Sequence, residues 1–445
     1  MITPRYTLEL SLLAAALTAA ALTGTPATGV AQSTAPVTAS STVVRFGRLV
    51  DGMGAVVRDA VVVVDGDKVT RVAAGDGAVP AGARVLDLRP LTGIPGLIDA
   101  HTHMTFYWDR APGTRPWAQL GTLGAAVTVF LAQENARRTL ETGVTTVRDL
   151  GSWEYTDLAM RDLINRGAMV GPRMFVAGYG LQITSTPYRP GAAPPGPGQA
   201  DGVAEVARVA RQQIAAGADW VKMYGSTGSD QDVTGFQTFS YEEMKAAADV
   251  AHRAGKRIAI HSYGPDGARD AVRAGAESVE HATDMDDATL REMARRGTFY
   301  VPTVEHNRYY VAHRSEYGYD QAAADRLEAY VARNFATLQR AVRAHVPIAM
   351  GSDAVFTGFG ENTRELAWFV KAGMTPAQAL ATATTNGAAL LGMRGRVGVV
   401  APGAYADLVA VDGDPLANID VVIRGVRWVM KGGRVVVDST RAGGR

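Results

Sequence analysis

Residues 96–104 read GLIDAHTHM, and this stretch decides the fold class because it joins a buried strand to two metal-capable side chains. Its apolar beginning predicts a β-strand, in which alternate side chains point to the same side. His101 and His103 are two residues apart, so both imidazoles can reach one metal ion. The strand is therefore predicted to end at a metal site.

Further metal-capable side chains stand at the ends of later predicted strands. They are Lys222 in ADWVKMY, His261 in RIAIHSY, His281 in SVEHA and Asp353 in IAMGSDA. Between residues 93 and 395, apolar strands alternate with Ala-rich amphipathic segments such as YEEMKAAADVAHRAG, which predicts parallel strands joined by crossover helices. The eight strands can close a (β/α)8 TIM barrel, with an open doubly wound sheet as the alternative. Only a closed ring brings the first and eighth strands together, which favours the barrel.

Both flanks of this region are rich in β-branched residues. Residues 42–92 and 396–440 contain runs such as AVVVVDGDKV, divided by Gly-containing turns, a pattern typical of hairpins. The two flanks are predicted to pair into one small β-sandwich domain beside the barrel of residues 93–395. The fold class is therefore α/β, with a second domain built from both chain ends.

The N-terminal residues are predicted to direct export. Arg5 precedes an apolar stretch at 10–22 that is too short for a stable membrane-spanning helix, so residues 1–31 are interpreted as a signal peptide. Residues 32–41 would then form a Thr/Ser/Ala/Pro-rich linker. A retained anchor is the alternative. We expect a periplasmic or secreted protein, with no stable membrane insertion after the signal is removed.

The composition is that of a globular enzyme acting on a small molecule. The chain has 445 residues, of which 47% are hydrophobic and 20% charged. Its formal net charge of +1 is made of interspersed acidic and basic residues, so nucleic acid is not an expected partner. The absence of cysteine excludes a thiol nucleophile and a thiolate metal ligand. Assembly into a homo-oligomer is left open.

The candidate ligands favour zinc or a similar divalent ion, with a coordination position open for water. Lys222 is exceptional, because a free ammonium cannot bind a metal and is costly to bury beside cations. Carbamylation would turn its amine into an anionic bridge between two ions; otherwise it is neutral or salt-bridged. Asp353 could be a ligand, a general base or both. The other helical or helix-to-strand histidines, His252, His313 and His345, are predicted to be core residues.

Loop residues after the strands are predicted to bind the substrate. Aromatic candidates are Tyr107, Trp108, Tyr155, Tyr188, Tyr309 and Tyr310, and candidates for meeting a free carboxylate are Arg189, His306 and Arg308. Tyr224 and Tyr263 lie two residues beyond Lys222 and His261, where each could donate a hydrogen bond to a tetrahedral oxyanion or merely line the pocket. The Pro- and Gly-rich loop 184–199 is either a lid or a surface loop.

Taken in order, these motifs resemble the amidohydrolase superfamily of metal-dependent hydrolases. PGLIDAHTH, GVTTVRDLG, GADWVKM, AGAESVEHAT and GSDA are similar to the imidazolonepropionase-like or prolidase-like branch. That branch includes Xaa-Pro and Xaa-Arg/Lys dipeptidases, N-acyl-amino-acid hydrolases and ochratoxin-degrading amidases. The resemblance extends from about residue 43 to residue 437.

The resemblance implies two divalent ions, with zinc as the expected metal. The implied ligands are His101, His103 and Asp353 at the first ion, His261 and His281 at the second, and a carboxylated Lys222 between them. A metal-bridging hydroxide would attack the carbonyl, while Asp353 would carry a proton to the departing amine. The expected substrate is a dipeptide or N-acyl amino acid with a free carboxylate, or an ochratoxin-like amide.

Two segments depart from the common pattern of the branch. Residues 261–264 read HSYG where many relatives have HAHG, and residues 223–226 read MYGS near the position of a Gly-rich MATGG segment. Neither change touches a ligand, so both alter the pocket beside the metals.

Two other functions stay open: a single-metal cyclic amide or lactone hydrolase or deaminase, and a non-catalytic metal-binding relative. Lys222 argues against a single metal, because single-metal relatives generally do not need it.

Overall fold

The computed structural model describes most of the chain. The described residues are 41–75, 79–184, 196–228, 233 and 235–440. The predicted signal peptide, nearly all of the predicted linker, and Tyr188 and Arg189 in the loop after the third predicted strand lie outside them. All of the described residues belong to one compact unit.

The described residues contain fourteen β-strands. In chain order these are β1 (Thr42–Val50), β2 (Val56–Asp65), β3 (Lys68–Ala74), β4 (Arg84–Pro95), β5 (Leu97–Thr102), β6 (Val144–Asp149), β7 (Arg173–Val176), β8 (Trp220–Tyr224), β9 (Arg257–Ser262), β10 (Ser278–His281), β11 (Phe299–Val301), β12 (Leu408–Val411), β13 (Val426–Lys431) and β14 (Arg434–Asp438).

The α-helices alternate with the central strands. They are α1 (Pro116–Gln119), α2 (Ala125–Glu141), α3 (Thr156–Asn165), α4 (Gly202–Ala216), α5 (Tyr241–Arg253), α6 (Pro265–Ala274), α7 (Asp287–Arg296), α8 (Val304–Ala312), α9 (Arg314–Tyr317), α10 (Gln321–Arg343), α11 (Glu365–Lys371), α12 (Pro376–Thr382), α13 (Thr385–Leu390) and α14 (Asp420–Arg424). Within the described part of the chain, no helix combines the length and apolarity needed to cross a membrane.

Strands from both chain ends form one sheet of order β14-β13-β12-β4-β1-β2-β3. The two ends meet where β4 and β12 pair antiparallel, with Ile94 opposite Val409. The predicted pairing of the flanks is thus observed. The strands form a single hydrogen-bonded sheet and not the two separate sheets of the predicted sandwich. The β3 edge of this sheet contacts the segment before β12, where the Val69 N–H donates to the Ala404 carbonyl at 3.0 Å.

The central strands are all parallel and lie in two groups, β5-β6-β7 and β8-β9-β10-β11. Isolated parallel bridges link these groups on both sides: Leu181 to Met223, Tyr300 to Ile348, and Thr102 to Ala354. Residues 347–354, predicted as the eighth strand, therefore contact β11 on one flank and β5 on the other without forming a continuous strand. This order of neighbours is of the TIM-barrel type.

Helix α5 shows how the sequence builds one crossover. Ser240 is its N-cap, where its hydroxyl accepts from the Glu243 N–H and the Glu243 carboxylate accepts from the Ser240 N–H at 2.8 Å. This capping box satisfies two backbone donors that the helix leaves unpaired. Met244, Ala247 and Ala251 then form one buried stripe. The stripe packs α5 against the strands, so the strand ends are held at the edge where the candidate ligands lie.

The predicted domain boundary near residue 92 falls inside β4, which spans Arg84–Pro95. One strand therefore leads from the small sheet almost directly into β5, the first of the central strands. The boundaries at 92 and 395 stay predictions.

Candidate metal centre

The predicted ligands meet at the carboxyl ends of the central strands. Ligand atoms of His101, His281 and Asp353 all lie within 4.8 Å of one another, and all three residues are buried. His103 joins them, because its Nε2 is 3.3 Å from Asp353 Oδ1. The strand-end positions predicted from the sequence therefore converge in space.

His261 and Lys222 complete the cluster from β9 and β8. The His261 and His281 ring centroids are 4.5 Å apart, and Lys222 Nζ lies 3.4 Å from His101 Nε2. Both residues are buried. The structure thus brings all six predicted ligands into one cluster.

Neighbouring groups orient three of the imidazoles. The contacts are His101 Nδ1 to Glu280 Oε2 at 2.8 Å, His103 Nδ1 to the Gly151 carbonyl at 3.0 Å, and His281 Nδ1 to Thr303 Oγ1 at 2.7 Å. Engaging one ring nitrogen fixes the ring and leaves the other available to a metal. The pattern is the outer support expected around metal-binding histidines.

A fully buried ion pair lies behind His101. Arg148 Nη2 is 2.9 Å from Glu280 Oε1, and Arg148 Nε donates to the Ala100 carbonyl at 2.6 Å. Burial alone would raise the Glu280 pKa, but the Arg148 charge and the His101 contact lower that pKa to about 2. Glu280 is therefore an anion directly behind a candidate ligand.

Burial keeps three of the four candidate histidines unprotonated at neutral pH, whereas at His103 the hydrogen bond with Asp353 and the nearby carboxylate charges together outweigh burial and raise the imidazole pKa. Burial lowers the pKa of His101 to about 4 and holds the pKa values of His261 and His281 well below their usual range. It also lowers the pKa of Lys222 to about 8. Burial opposes ionisation of Asp353, but the surrounding imidazoles, His306 first, hold its pKa well below the usual value.

This donor set fits divalent metal ions. His261 Nε2 is buried and has no hydrogen-bond partner among the described residues, and such an orphan is costly unless a ligand meets it. Imidazole nitrogens and an ionised carboxylate are ligand types that zinc prefers, whereas the unmodified amine of Lys222 is not among them.

The two candidate oxyanion donors lie against the metal centre. Tyr263 is buried and stacks on His281 with ring centroids 4.9 Å apart. The centroid of the Tyr224 ring is 5.4 Å from that of the His261 ring. The Tyr224 hydroxyl lies beside Gly151, so close that a Cβ added to this glycine would be 3.2 Å from the hydroxyl oxygen. Both tyrosines are thus placed beside the ligands, while hydrogen bonding to an oxyanion stays a prediction.

A small cleft, partly open to solvent, adjoins Asp353. Predicted substrate residues His306, Tyr309 and Tyr310 line it, together with Ser352, Ala354, Val355, Gly358, Glu305, Glu361 and Asn362. His306 Nε2 lies 3.3 Å from Asp353 Oδ2. Asp353, the candidate proton carrier, therefore lies in the wall of this cleft.

Of the other predicted substrate residues, the four that the structure describes are not among the residues lining this cleft: Tyr107, Trp108, Tyr155 and Arg308. Arg308 Nε is 2.7 Å from Glu305 Oε2, so the guanidinium already has an anionic partner. Trp108 donates to Thr114 Oγ1 at 2.9 Å, and Tyr107 is half-buried. Substrate roles for Tyr107, Trp108 and Arg308 stay predictions, as they do for Arg189.

The remaining histidines correct one expectation. His252 and His345 are exposed and His313 is half-buried, so the prediction that they are core residues is wrong. His252 Nε2 contacts Glu277 Oε1 at 3.0 Å on the surface, and the His313 ring stacks on Tyr309 at 3.9 Å. His252 lies on the exposed face of α5, His313 stands between α8 and α9, and His345 lies in the turn after α10. Composition alone does not reveal these positions.

Sequence reasoning missed Glu280, Arg148 and Thr303. Glu280 and Arg148 interrupt the strand sequences SVEH and VTTVRD, which are buried at every position. A charged residue inside such a strand needs a partner, so this interruption is the signal that could have found the pair.

The fold and site agree with the comparisons. The Amidohydrolase family matches residues 92–436, and the chain belongs to this family, whose members are metal-dependent hydrolases. It is a hydrolase acting on C–N bonds, with divalent metals general in the family.

Its similarity to individual proteins extends over most of their length. Ochratoxinase of Aspergillus niger is 30% identical over 431 residues, covering 89% of this chain and 87% of that protein. Imidazolonepropionase of Streptomyces avermitilis is 28% identical over 394 residues, covering 80% and 81%. A crystal structure of a Xaa-Pro dipeptidase with bound methionine has a TM-score of 0.80 at 30% identity, covering 89% of this chain and 99% of that one. The Aspergillus niger ochratoxinase structure has a TM-score of 0.77 at 27% identity, covering 90% and 96%.

Proposed function

We propose that this protein is a binuclear metal-dependent amidohydrolase built on a closed (β/α)8 barrel. It would cleave the C–N bond of a dipeptide or an N-acyl amino acid with a free carboxylate, or of an ochratoxin-like amide. The observation that carries the proposal is the convergence of six buried candidate ligands beside an open cleft. Similarity to ochratoxinase and to a Xaa-Pro dipeptidase supports the substrate class.

Two zinc ions are the proposed cofactor. The proposed ligands are His101, His103 and Asp353 for one ion, His261 and His281 for the other, and carboxylated Lys222 for both. Bound divalent ions would supply Lewis acidity toward the substrate carbonyl and would acidify water.

Lys222 is suited to carboxylation. Because burial lowers the Lys222 pKa to about 8, a fraction of the molecules carries this side chain as a neutral amine near neutral pH. A free amine can add to carbon dioxide, forming an N–C bond and releasing one proton. The product carries a negative charge, which relieves the cost of burying a cation among imidazoles.

Asp353 is the proposed proton carrier. Its pKa lies well below the usual range, so the side chain is an ionised carboxylate at neutral pH. Its Oδ2 lies 3.3 Å from His306 Nε2, and Asp353 is one of the residues that line the cleft where a substrate would enter. Asp353 would take the proton of the attacking water and pass it to the departing amine, because an unprotonated amine leaves poorly. Tyr224 or Tyr263 would donate a hydrogen bond to the carbonyl oxygen as its charge grows.

A substrate panel tests the proposed function. Purified zinc-loaded protein would be incubated with dipeptides and N-acyl amino acids whose leaving residue is Pro, Arg, Lys or Phe, and with cyclic amides and lactones. The proposal expects release of the free amino acid from open-chain amides, lost after chelation. Turnover of ring substrates alone by a one-zinc protein would favour the single-metal alternative. Metal binding without any turnover would favour a non-catalytic relative.

Export to the periplasm or the medium is also proposed, on the sequence of residues 1–31. The mass of the mature protein recovered from its native cell tests it. We expect a chain that begins near residue 32.

A further inference from the structure

His281 reaches the metal centre from a strained backbone. Its φ is +71°, and that of the next residue, Ala282, is +24°. Residues with a Cβ rarely adopt this left-handed region, because it is sterically unfavourable for them. The conformation persists only where surrounding groups hold it, so the strand tip needs an identifiable restraint.

Two buried side chains supply that restraint. The Tyr300 hydroxyl lies 2.9 Å from the His281 carbonyl and 2.7 Å from the Ala282 carbonyl. From α10, Asn334 Nδ2 donates to the same His281 carbonyl at 3.2 Å, and Asn334 Oδ1 is 3.2 Å from the Tyr300 hydroxyl. Tyr300 and Asn334 are both completely buried. Tyr300 and Asn334 thus provide hydrogen-bond donors for the carbonyls of His281 and Ala282, where the strand ends.

Asn334 also holds the neighbouring strand tip. Its Nδ2 donates to the Pro302 carbonyl at 2.9 Å. The next residue, Thr303, has a φ of +50° and places its Oγ1 2.7 Å from His281 Nδ1. One amide therefore fixes both the backbone of His281 and the partner that orients its ring.

We infer that Asn334, together with Tyr300, is a positioning residue for metal binding by His281. The inference rests on the proposed function, because it assumes that His281 is a ligand. Asn334 reaches the site from the outer helix α10 and touches no candidate ligand atom; it acts through the geometry of the two strand tips. Losing such outer support typically weakens metal binding 10- to 100-fold.

The test is zinc affinity of the folded full chain, measured by competition with a chromophoric chelator. Asn334→Leu removes the amide at similar volume, and Tyr300→Phe removes only the hydroxyl. Asn386→Leu is the matched control, because Asn386 Nδ2 donates to the Ile348 carbonyl at 2.8 Å, at the start of the eighth segment. We expect about tenfold or greater weakening in the first two variants, and less than twofold change in the control.

A cobalt-substituted sample adds a spectroscopic readout that simple destabilisation does not move. Visible absorption bands of Co²⁺ should shift in Asn334→Leu and Tyr300→Phe and stay unchanged in Asn386→Leu. Unaltered affinity and spectra in Tyr300→Phe, which preserves the packing, would overturn the inference even if Asn334→Leu fails to fold. Wild-type protein that binds no zinc would overturn the proposed function along with it. Zinc binding by all variants alike would overturn the inference alone.

Discussion

Behind the candidate metal centre, two buried side chains of opposite charge, Arg148 and Glu280, stabilise each other. Arg148 and Glu280 are both fully buried, so neither charge is solvated by water. Each compensates the other, and Glu280 also contacts His101 Nδ1 at 2.8 Å. Removing one member leaves a buried charge without its counterion, which is far more costly than never having buried the pair.

Glu280→Gln is therefore expected to destabilise the protein by about 3 kcal/mol or more. The neutral amide leaves the Arg148 guanidinium without an anionic partner. Urea unfolding at pH 7 measures the change. The double variant Arg148→Met, Glu280→Gln should recover part of the loss, because it removes both charges. A single variant within about 0.5 kcal/mol of wild type would contradict the argument.

Asp353→Asn should lower kcat/KM by a factor of about 10²–10⁴ while the fold stays intact. The amide keeps the shape of the side chain but cannot accept the proton. Steady-state kinetics on the best amide substrate, with circular dichroism as the folding control, measure the effect. More than a tenth of the activity remaining would assign the proton transfer to another group.

The six candidate ligands could be predicted from the sequence because strand ends share one edge of a parallel sheet. The roles of Asn334 and Thr303 could not be predicted, because they depend on which side chains meet across different strands and helices. His252 and His345 show the converse. Residue type and local sequence context placed them in the core, yet His252 is exposed on α5 and His345 is exposed in the turn after α10.

Among the elements, α8 carries the cleft residues His306, Tyr309 and Tyr310. Its first turn is fixed by Glu365, whose carboxyl accepts from the Val304 N–H at 2.9 Å and the Glu305 N–H at 2.8 Å. Burial raises the Glu365 pKa to about 8. This carboxyl is thus protonated in the folded protein at neutral pH.

The raised pKa of Glu365 predicts a loss of stability between pH 4.5 and pH 8. In that window the unfolded carboxyl is ionised while the folded one stays protonated, so unfolding releases a proton and rising pH favours it. Glu365→Gln has no titrating carboxyl at this position, so its free energy of unfolding should not share this decline. The difference between the variant and the wild type should therefore shift in favour of the variant by up to about 3 kcal/mol from pH 5 to pH 7. Chemical denaturation of both proteins across this range measures it; parallel profiles would show that Glu365 does not titrate this way.

Element types were predictable where local chemistry decides them. The α5 segment has its cap and apolar stripe in the sequence itself. The eighth segment was predicted as a strand from its apolar run, but residues 347–354 make only isolated bridges. Its tip turns sharply at Asp353, with a φ of +51°, and that turn depends on tertiary contacts that a sequence pattern does not contain.

At the scale of the whole molecule, the small sheet ties the two chain ends to the central strands. Trp428 of β13 is among the largest fully buried side chains and packs with Phe46 and Leu408 from both ends. The pairing could be predicted because both flanks share hairpin patterns. Closure into one sheet could not, since it depends on the register between β4 and β12.

Trp428→Ala should destabilise the protein by about 3–5 kcal/mol, because it removes a large side chain from this core. Zinc affinity of the folded fraction should stay within twofold of wild type, since Trp428 lies in the small sheet. Thermal unfolding and chelator competition measure the two effects. A strong loss of zinc affinity at unchanged stability would mean that the sheet shapes the metal centre directly.

The central claim is a two-metal centre bridged by a modified Lys222. An anomalous-scattering map of zinc-loaded crystals, recorded at the zinc edge, tests it most directly. We expect two peaks per chain, one beside His101, His103 and Asp353 and one beside His261 and His281, with carboxylate density continuing from Lys222 Nζ between them. A single peak, or an unmodified Lys222 pointing away from the metal, would contradict the account.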